Sequence, residues 1–240
     1  MGRLCFIVAN TGMGKSYSMR NLPPEKCIII NTDKKELPWR QYGKQWNKEL
    51  KNYLETSDIE DIRAIIKYGA ENDKKIIVID TWNMNVNDLV FSEEFRKRGT
   101  DYMTKWGEMA ASQYQLFNYI RDNTPDDMYV YLMAHPEETL NEDTGLIEMR
   151  IAVHGGMLKK VRPESKSTIV LYADVQKKPE GVQYKFRTQT TGRDTCKTPV
   201  GMFEDSLVDN DLLEVDATIR DYYGLNSIKD GKARTKNAGS

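Results

Sequence analysis

Short runs of apolar residues alternate with longer polar stretches through the first half of the chain. Residues 3–9 (R-L-C-F-I-V-A), 27–31 (C-I-I-I-N), 75–80 (K-I-I-V-I-D) and 128–134 (M-Y-V-Y-L-M-A) are apolar at almost every position and rich in β-branched side chains. That pattern predicts strands covered on both faces. Between them the apolar positions take a helical period. Ile59, Ile62, Ile65 and Ile66 form one stripe behind Ser57 and Glu60, whose spacing is that of a capping box, so a helix is expected over 58–69. Trp106, Met109, Ala110, Phe117 and Ile120 mark a second helix, ending near the turn at 123–127. A short helix is expected over 15–21, stopped by Pro23-Pro24. Residues 32–56 show no clean period and read as irregular or partly helical. Residues 83–104 are polar and charged and read as a mobile insertion.

After position 146 the pattern changes. Residues 147–153, 167–175 and 182–188 read as strands joined by turns and basic loops, with no helix between them. A last helix is expected over 210–223, with Gly224 placed to end it. Strands alternating with helices imply a parallel sheet, so the fold class is α/β. The second half reads as an antiparallel elaboration on the sheet's edge. Residues 1–228 form one expected domain. Residues 229–240 carry Lys229, Lys232, Arg234 and Lys236 against Asp230 and read as a basic, disordered tail.

Composition narrows the function classes. The 240 residues are 39% hydrophobic and 30% charged, enough to bury a real core. With 35 basic and 36 acidic side chains the formal net charge is -1, so any site for a polyanion must be a local patch. Cys5, Cys27 and Cys196 form no C-x-x-C pair and read as reduced thiols. The apolar run at 4–9 is too short for a signal-peptide core or a membrane span, and a cytoplasmic location is expected.

The strongest chemical signal follows the first strand. Ala9-Asn10-Thr11-Gly12-Met13-Gly14-Lys15-Ser16 matches G-x-x-x-x-G-K-[ST], with Ala9 in place of the first glycine. A buried strand delivers a tight loop whose backbone N–H groups curl around phosphates, and the following helix adds its positive end. The nucleotide-binding residues expected are Asn10, Thr11, Gly12, Met13, Gly14, Lys15, Ser16 and Tyr17. Lys15 would reach the β- and γ-phosphate oxygens, and the Ser16 hydroxyl would sit on Mg²⁺. Asp80, at the tip of I-I-V-I-D, has the position of a second Mg²⁺-holding group. Asp33 and His135 also follow strands, and ligands of open α/β sheets lie beyond the strands' carboxyl ends. Asp33 would polarise an attacking water, with Glu36 competing for that role. His135 would sense the γ-phosphate by donating a hydrogen bond. Basic residues gather at Lys159, Lys160 and Arg162 after the Gly155-Gly156 turn, and at Arg193 and Lys197 beside Cys196. The two histidines and three cysteines lack zinc spacing, and no Ser-His-Asp arrangement is suggested.

With these residues in view, the chain resembles the phage-encoded, RecA-like P-loop ATPases related to Sak-type single-strand annealing and recombination proteins. The resemblance is carried by V-A-N-T-G-M-G-K-S (8–16), K-I-I-V-I-D-T (75–81), V-Y-L-M-A-H-P-E (130–137) and the stretch at 155–203. It implies a RecA-like P-loop core, ATP and Mg²⁺ as ligands, and a catalytic carboxylate at Asp33. It further implies that Lys197, with Arg193 as a second candidate, reaches a neighbouring subunit's nucleotide in a homo-oligomer. Asp33 is shorter than the glutamate common in such enzymes, and Pro199 stands where some relatives carry an arginine. Related proteins act on single-stranded DNA in phage recombination or replication, often beside a single-strand binding protein, in the host's cytosol.

Three readings follow. The leading one is an ATPase assembling on single-stranded DNA. The second is a small nucleoside or nucleotide kinase using Lys159, Lys160 and Arg162 as a lid, against which the region reads as a β-turn rather than a helix. The third is a nucleotide-gated binding module with little turnover.

Overall fold

The computed structural model describes residues 3–97, 101–141, 144–179 and 181–229. Its centre is a sheet of strands β1 (Arg3–Val8), β2 (Cys27–Asn31), β3 (Tyr53–Leu54), β4 (Ile76–Asp80), β5 (Tyr129–Ala134), β8 (Ile169–Lys178), β9 (Gly181–Arg187) and β10 (Leu207–Asp209). A separate hairpin pairs β6 (Pro136–Leu140) with β7 (Ile147–Ile151). The sheet order is β10-β9-β8-β1-β5-β4-β2-β3. From β8 to β3 every pairing is parallel, and β9 and β10 extend the edge antiparallel. The expected fold class, α/β with a parallel sheet extended by antiparallel strands, is the one observed.

The helices are α1 (Ile59–Glu71), α2 (Trp82–Phe91), α3 (Glu93–Arg96), α4 (Tyr102–Asn123), α5 (Gly156–Val161) and α6 (Leu212–Tyr222). Neighbouring residues of a strand point to opposite faces, and β1 shows why its run is continuously apolar. Phe6 and Val8 pack into a core with residues of α1, α2 and α4, whereas Cys5 and Ile7 pack into a second core with α6. The three cysteines are separate, buried thiols. Among the described residues no helix is long and apolar enough to cross a membrane.

Several local expectations need correction. The short helix expected after the glycine loop is present and takes the tighter 3-10 form, Ser16–Asn21. Helix α1 is capped by Asp58 rather than Ser57, because the Asp58 carboxylate accepts from the backbone N–H groups of Glu60 and Asp61 at 2.8 and 3.0 Å. The supposed mobile insertion at 83–104 holds α2, α3 and the start of α4, except that residues 98–100 lie outside the described ones. Trp82, Val86, Val90 and Phe95 are buried there, a stripe too narrow to stand out among polar neighbours. In the second half β7 pairs outside the main sheet and β8 runs parallel to β1, so the antiparallel extension begins only with β9. Helix α5 and a 3-10 turn, Pro163–Lys166, separate β7 from β8, where no helix was expected. Strands β3, β6 and β10 had no expected counterpart. The tail from residue 230 lies outside the described residues.

Candidate functional site

Beyond the tips of β1, β2, β4 and β5 the chain lines one cavity of about 480 Å³. Asn10, Thr11, Gly12, Gly14, Lys15, Ser16 and Tyr17 form one wall, following β1. Asp33 after β2 and His135 after β5 also line it, as expected from strand order. Met13 is the exception within the loop, since its side chain packs against the α6-side core. Asp80 is 5% exposed and sits behind Thr81, whose hydroxyl donates to it at 3.0 Å.

Two glycines set the loop's path. Gly12 and Gly14 have φ of +81° and +83°, a region that L side chains rarely adopt. At Gly14 space matters as well, because a Cβ would lie 2.9 Å from Cδ1 of Tyr184. The tips of β2 and β4 are tied together: the Thr32 hydroxyl donates to the Thr81 carbonyl at 2.6 Å and accepts from its N–H at 2.7 Å. The Asp80–Thr81 peptide is cis.

Lys15 is 7% exposed. Its ammonium donates to the Thr81 hydroxyl at 2.9 Å and lies 3.4 Å from Nε2 of His135. Burial pushes its pKa down, opposed by the charges of Asp80 and then Asp33. Nδ1 of His135 faces the Ala9 carbonyl at 3.1 Å, which can only accept, so Nδ1 carries the proton and Nε2 accepts from Lys15. Burial first, and the Lys15 charge second, lower the His135 pKa. The neutral ring therefore presents a lone pair where the sequence led us to expect a donor. The Asn83 side chain fixes this residue from behind, accepting from the His135 N–H at 2.6 Å.

Asp33 offers an unpartnered acceptor. One carboxylate oxygen lies 3.2 Å from the Lys35 ammonium, and the other is buried with no hydrogen-bond partner. Glu36, its competitor, is exposed and does not line the cavity. Among the described residues no three His, Cys, Asp or Glu side chains gather to hold a metal alone. Mg²⁺ is commonly held by one or two protein groups together with substrate phosphates and waters. The Ser16 hydroxyl, which lines the cavity, and the Asp80 carboxylate behind Thr81 suit that mode.

Lys197 and Arg193 lie elsewhere. Lys197 is exposed, its backbone bridged to Val170 at the start of β8, and Arg193 accepts through its carbonyl from the Met149 N–H. Neither lines the cavity. Lys159 and Lys160 lie on α5, not on a β-turn, so the contrast drawn against a helical kinase lid does not hold. Lys159 stands 3.7 Å from Glu137.

Four residues of the site escaped sequence reasoning: Thr81, Lys35, Tyr184 and Asn83. Thr81 was within reach, being the first residue beyond the acidic strand tip. Tyr184 sits in an alternating polar strand far along the chain, and nothing in the sequence ties it to Gly14.

No family model matches the chain, and no curated protein does. Among solved structures, a KaiC-like protein from the hyperthermophilic archaeon Pyrococcus horikoshii OT3 is similar, with a TM-score of 0.44 and 10% identity over 78% of each chain.

Proposed function

We propose that this chain binds ATP with Mg²⁺ on the loop 10–17 and hydrolyses it. The supporting observation is Lys15: a buried cation at the mouth of a glycine loop, held by a hydroxyl and an imidazole. Thr81 and His135 are neutral partners that a polyphosphate can displace, and exchanging them for phosphate oxygens gives charge-assisted bonds. The loop's N–H groups take the remaining oxygens. Ser16 and Asp80 would hold Mg²⁺, which when bound neutralises charge developing on the phosphates. The partnerless Asp33 oxygen would orient a water and accept its proton, with the Lys35 ammonium holding the other oxygen.

The resemblance to phage RecA-like ATPases supports a role on single-stranded DNA in recombination or replication, beside a single-strand binding protein and in a homo-oligomer. A nucleotide-kinase reading has one observation in its favour. A second cavity of about 370 Å³ lies beside β6, with Arg150, Lys159 and Arg162 among its lining. Phosphate release measured alone, with single-stranded DNA and with a panel of nucleosides separates the readings. The ATPase reading expects release that rises with DNA. Transfer to a nucleoside would overturn it in favour of the kinase. No turnover under any condition would leave a binding module.

A further inference from the structure

A triphosphate seated on the loop must send its sugar and base out of the cavity. Two of the cavity's lining residues, Tyr17 and Tyr184, also line an adjoining cavity of about 430 Å³. Both rings are open to solvent, 42% and 39% exposed, on a chain whose other aromatics largely fill its cores. Tyr17 belongs to the 3-10 helix behind the loop and Tyr184 to β9, so the rings come from two separate elements. The Arg20 guanidinium lies 4.5 Å from the Tyr17 ring centre and donates to the Tyr17 and Asn210 carbonyls at 3.2 and 2.7 Å. These bonds tie the Tyr17 side of the cavity to the Asn210 side.

The polar lining of this cavity differs from that of the loop. Asp209, Asp211 and Glu214 present acceptors, each beside a cation (Lys185, Arg20 and Lys229), and Arg20 is the one basic side chain in the lining. Three carboxylates against one lining cation disfavour a phosphate tail, which leaves the cavity to the other end of a nucleotide. Asn210 supplies the independent observation. It lines the cavity, is only 4% exposed, and neither its amide nitrogen nor its amide oxygen has a hydrogen-bond partner. That oxygen lies 3.3 Å from the position a Cβ on Gly14 would take, so the amide stands between the cavity and the loop. A buried amide left unsatisfied costs free energy that a ligand's polar edge recovers.

We propose that this second cavity is a nucleobase subsite, with the base against Tyr17 and Tyr184 and its edge read by Asn210 and the neighbouring carboxylates. The proposal rests on the phosphate-loop reading and deepens it. An acceptor-rich wall with one amide selects a base bearing an exocyclic amine, as adenine does, over hypoxanthine, where a carbonyl replaces that amine.

Calorimetry with ATP, ITP and inorganic tripolyphosphate, each with Mg²⁺, tests this on the wild-type chain and on Tyr184→Ala and Tyr184→Phe. Wild type should bind ATP about tenfold or more tighter than ITP, and tighter than tripolyphosphate. Loss of one stacking ring should weaken ATP about 10-fold to 100-fold. Tyr184→Ala should weaken ATP by that factor and tripolyphosphate by much less, and Tyr184→Phe should retain the stacking. Tripolyphosphate bound as tightly as ATP, or ITP as tightly as ATP, would overturn the subsite alone. Failure of wild type to bind either ATP or tripolyphosphate would overturn the phosphate-loop reading and the subsite with it.

Discussion

Lys15 is held by a hydroxyl and an imidazole rather than a bonded carboxylate, and the chemistry of the cavity follows from that choice. Asp80 is near enough to raise the Lys15 pKa, yet its own hydrogen bond comes from Thr81. On the proposed function, its carboxylate holds the divalent ion. Asp80→Asn should keep ATP affinity within a few-fold and lose Mg²⁺-dependent phosphate release, because the amide preserves shape and removes charge. Release at the wild-type rate would mean another carboxylate holds the ion, and Asp33 would be the first to examine. His135 makes a pH-dependent contribution of definite sign. Its folded pKa lies below the ordinary 6.5, so the neutral ring favours folding above that value, and the benefit is lost as pH falls through the depressed folded value. Urea unfolding of wild type and His135→Gln should show a stability difference that narrows as pH drops below 6.5. A difference independent of pH would remove the neutral-ring assignment.

At the scale of elements, α6 is anchored by a buried pair within one of its own turns. Nε of Arg220 donates to Asp216 at 2.5 Å, and the same guanidinium donates to the carbonyls of Asp127 and Lys75 at 2.8 and 3.0 Å. Tyr131 on β5 donates to the other Asp216 oxygen at 2.8 Å. The helix is thereby held to the sheet's amino-terminal edge, at the opposite ends of the strands from the glycine loop. Removing one partner leaves a buried charge, so Asp216→Ala should cost about 3–5 kcal/mol in urea unfolding. A cost below about 1 kcal/mol would contradict that role. This network was invisible in the sequence, where Asp216 and Arg220 look like an ordinary exposed helical pair. The four buried strands were legible because burial on both faces writes an unbroken apolar run. Helix α2 was not, since one narrow buried stripe among asparagines resembles a loop. The candidate site divides the same way. Its loop and strand tips are local in sequence and were found, whereas Tyr184 and Asn210 reach it only through the pairing of β8, β9 and β10.

Across the whole molecule, the loop cavity and Lys197 are separate, so any role for Lys197 in turnover must come from a second copy. Lys197→Ala should lower phosphate release only at concentrations where subunits associate, and mixing it with Lys15→Ala should restore part of the rate. A basic group lent by a neighbour can be worth about 10³–10⁵ in rate. Wild-type release by Lys197→Ala at every concentration would reduce the residue to its backbone bridge with Val170. The loop itself carries the central claim, and calorimetric titration of Mg²⁺-ATP into wild type and Lys15→Ala tests it most directly. Saturable binding by wild type that disappears in the variant, with both proteins unfolding cooperatively in urea, is the predicted result. Equal ATP affinity in the two proteins would contradict the account.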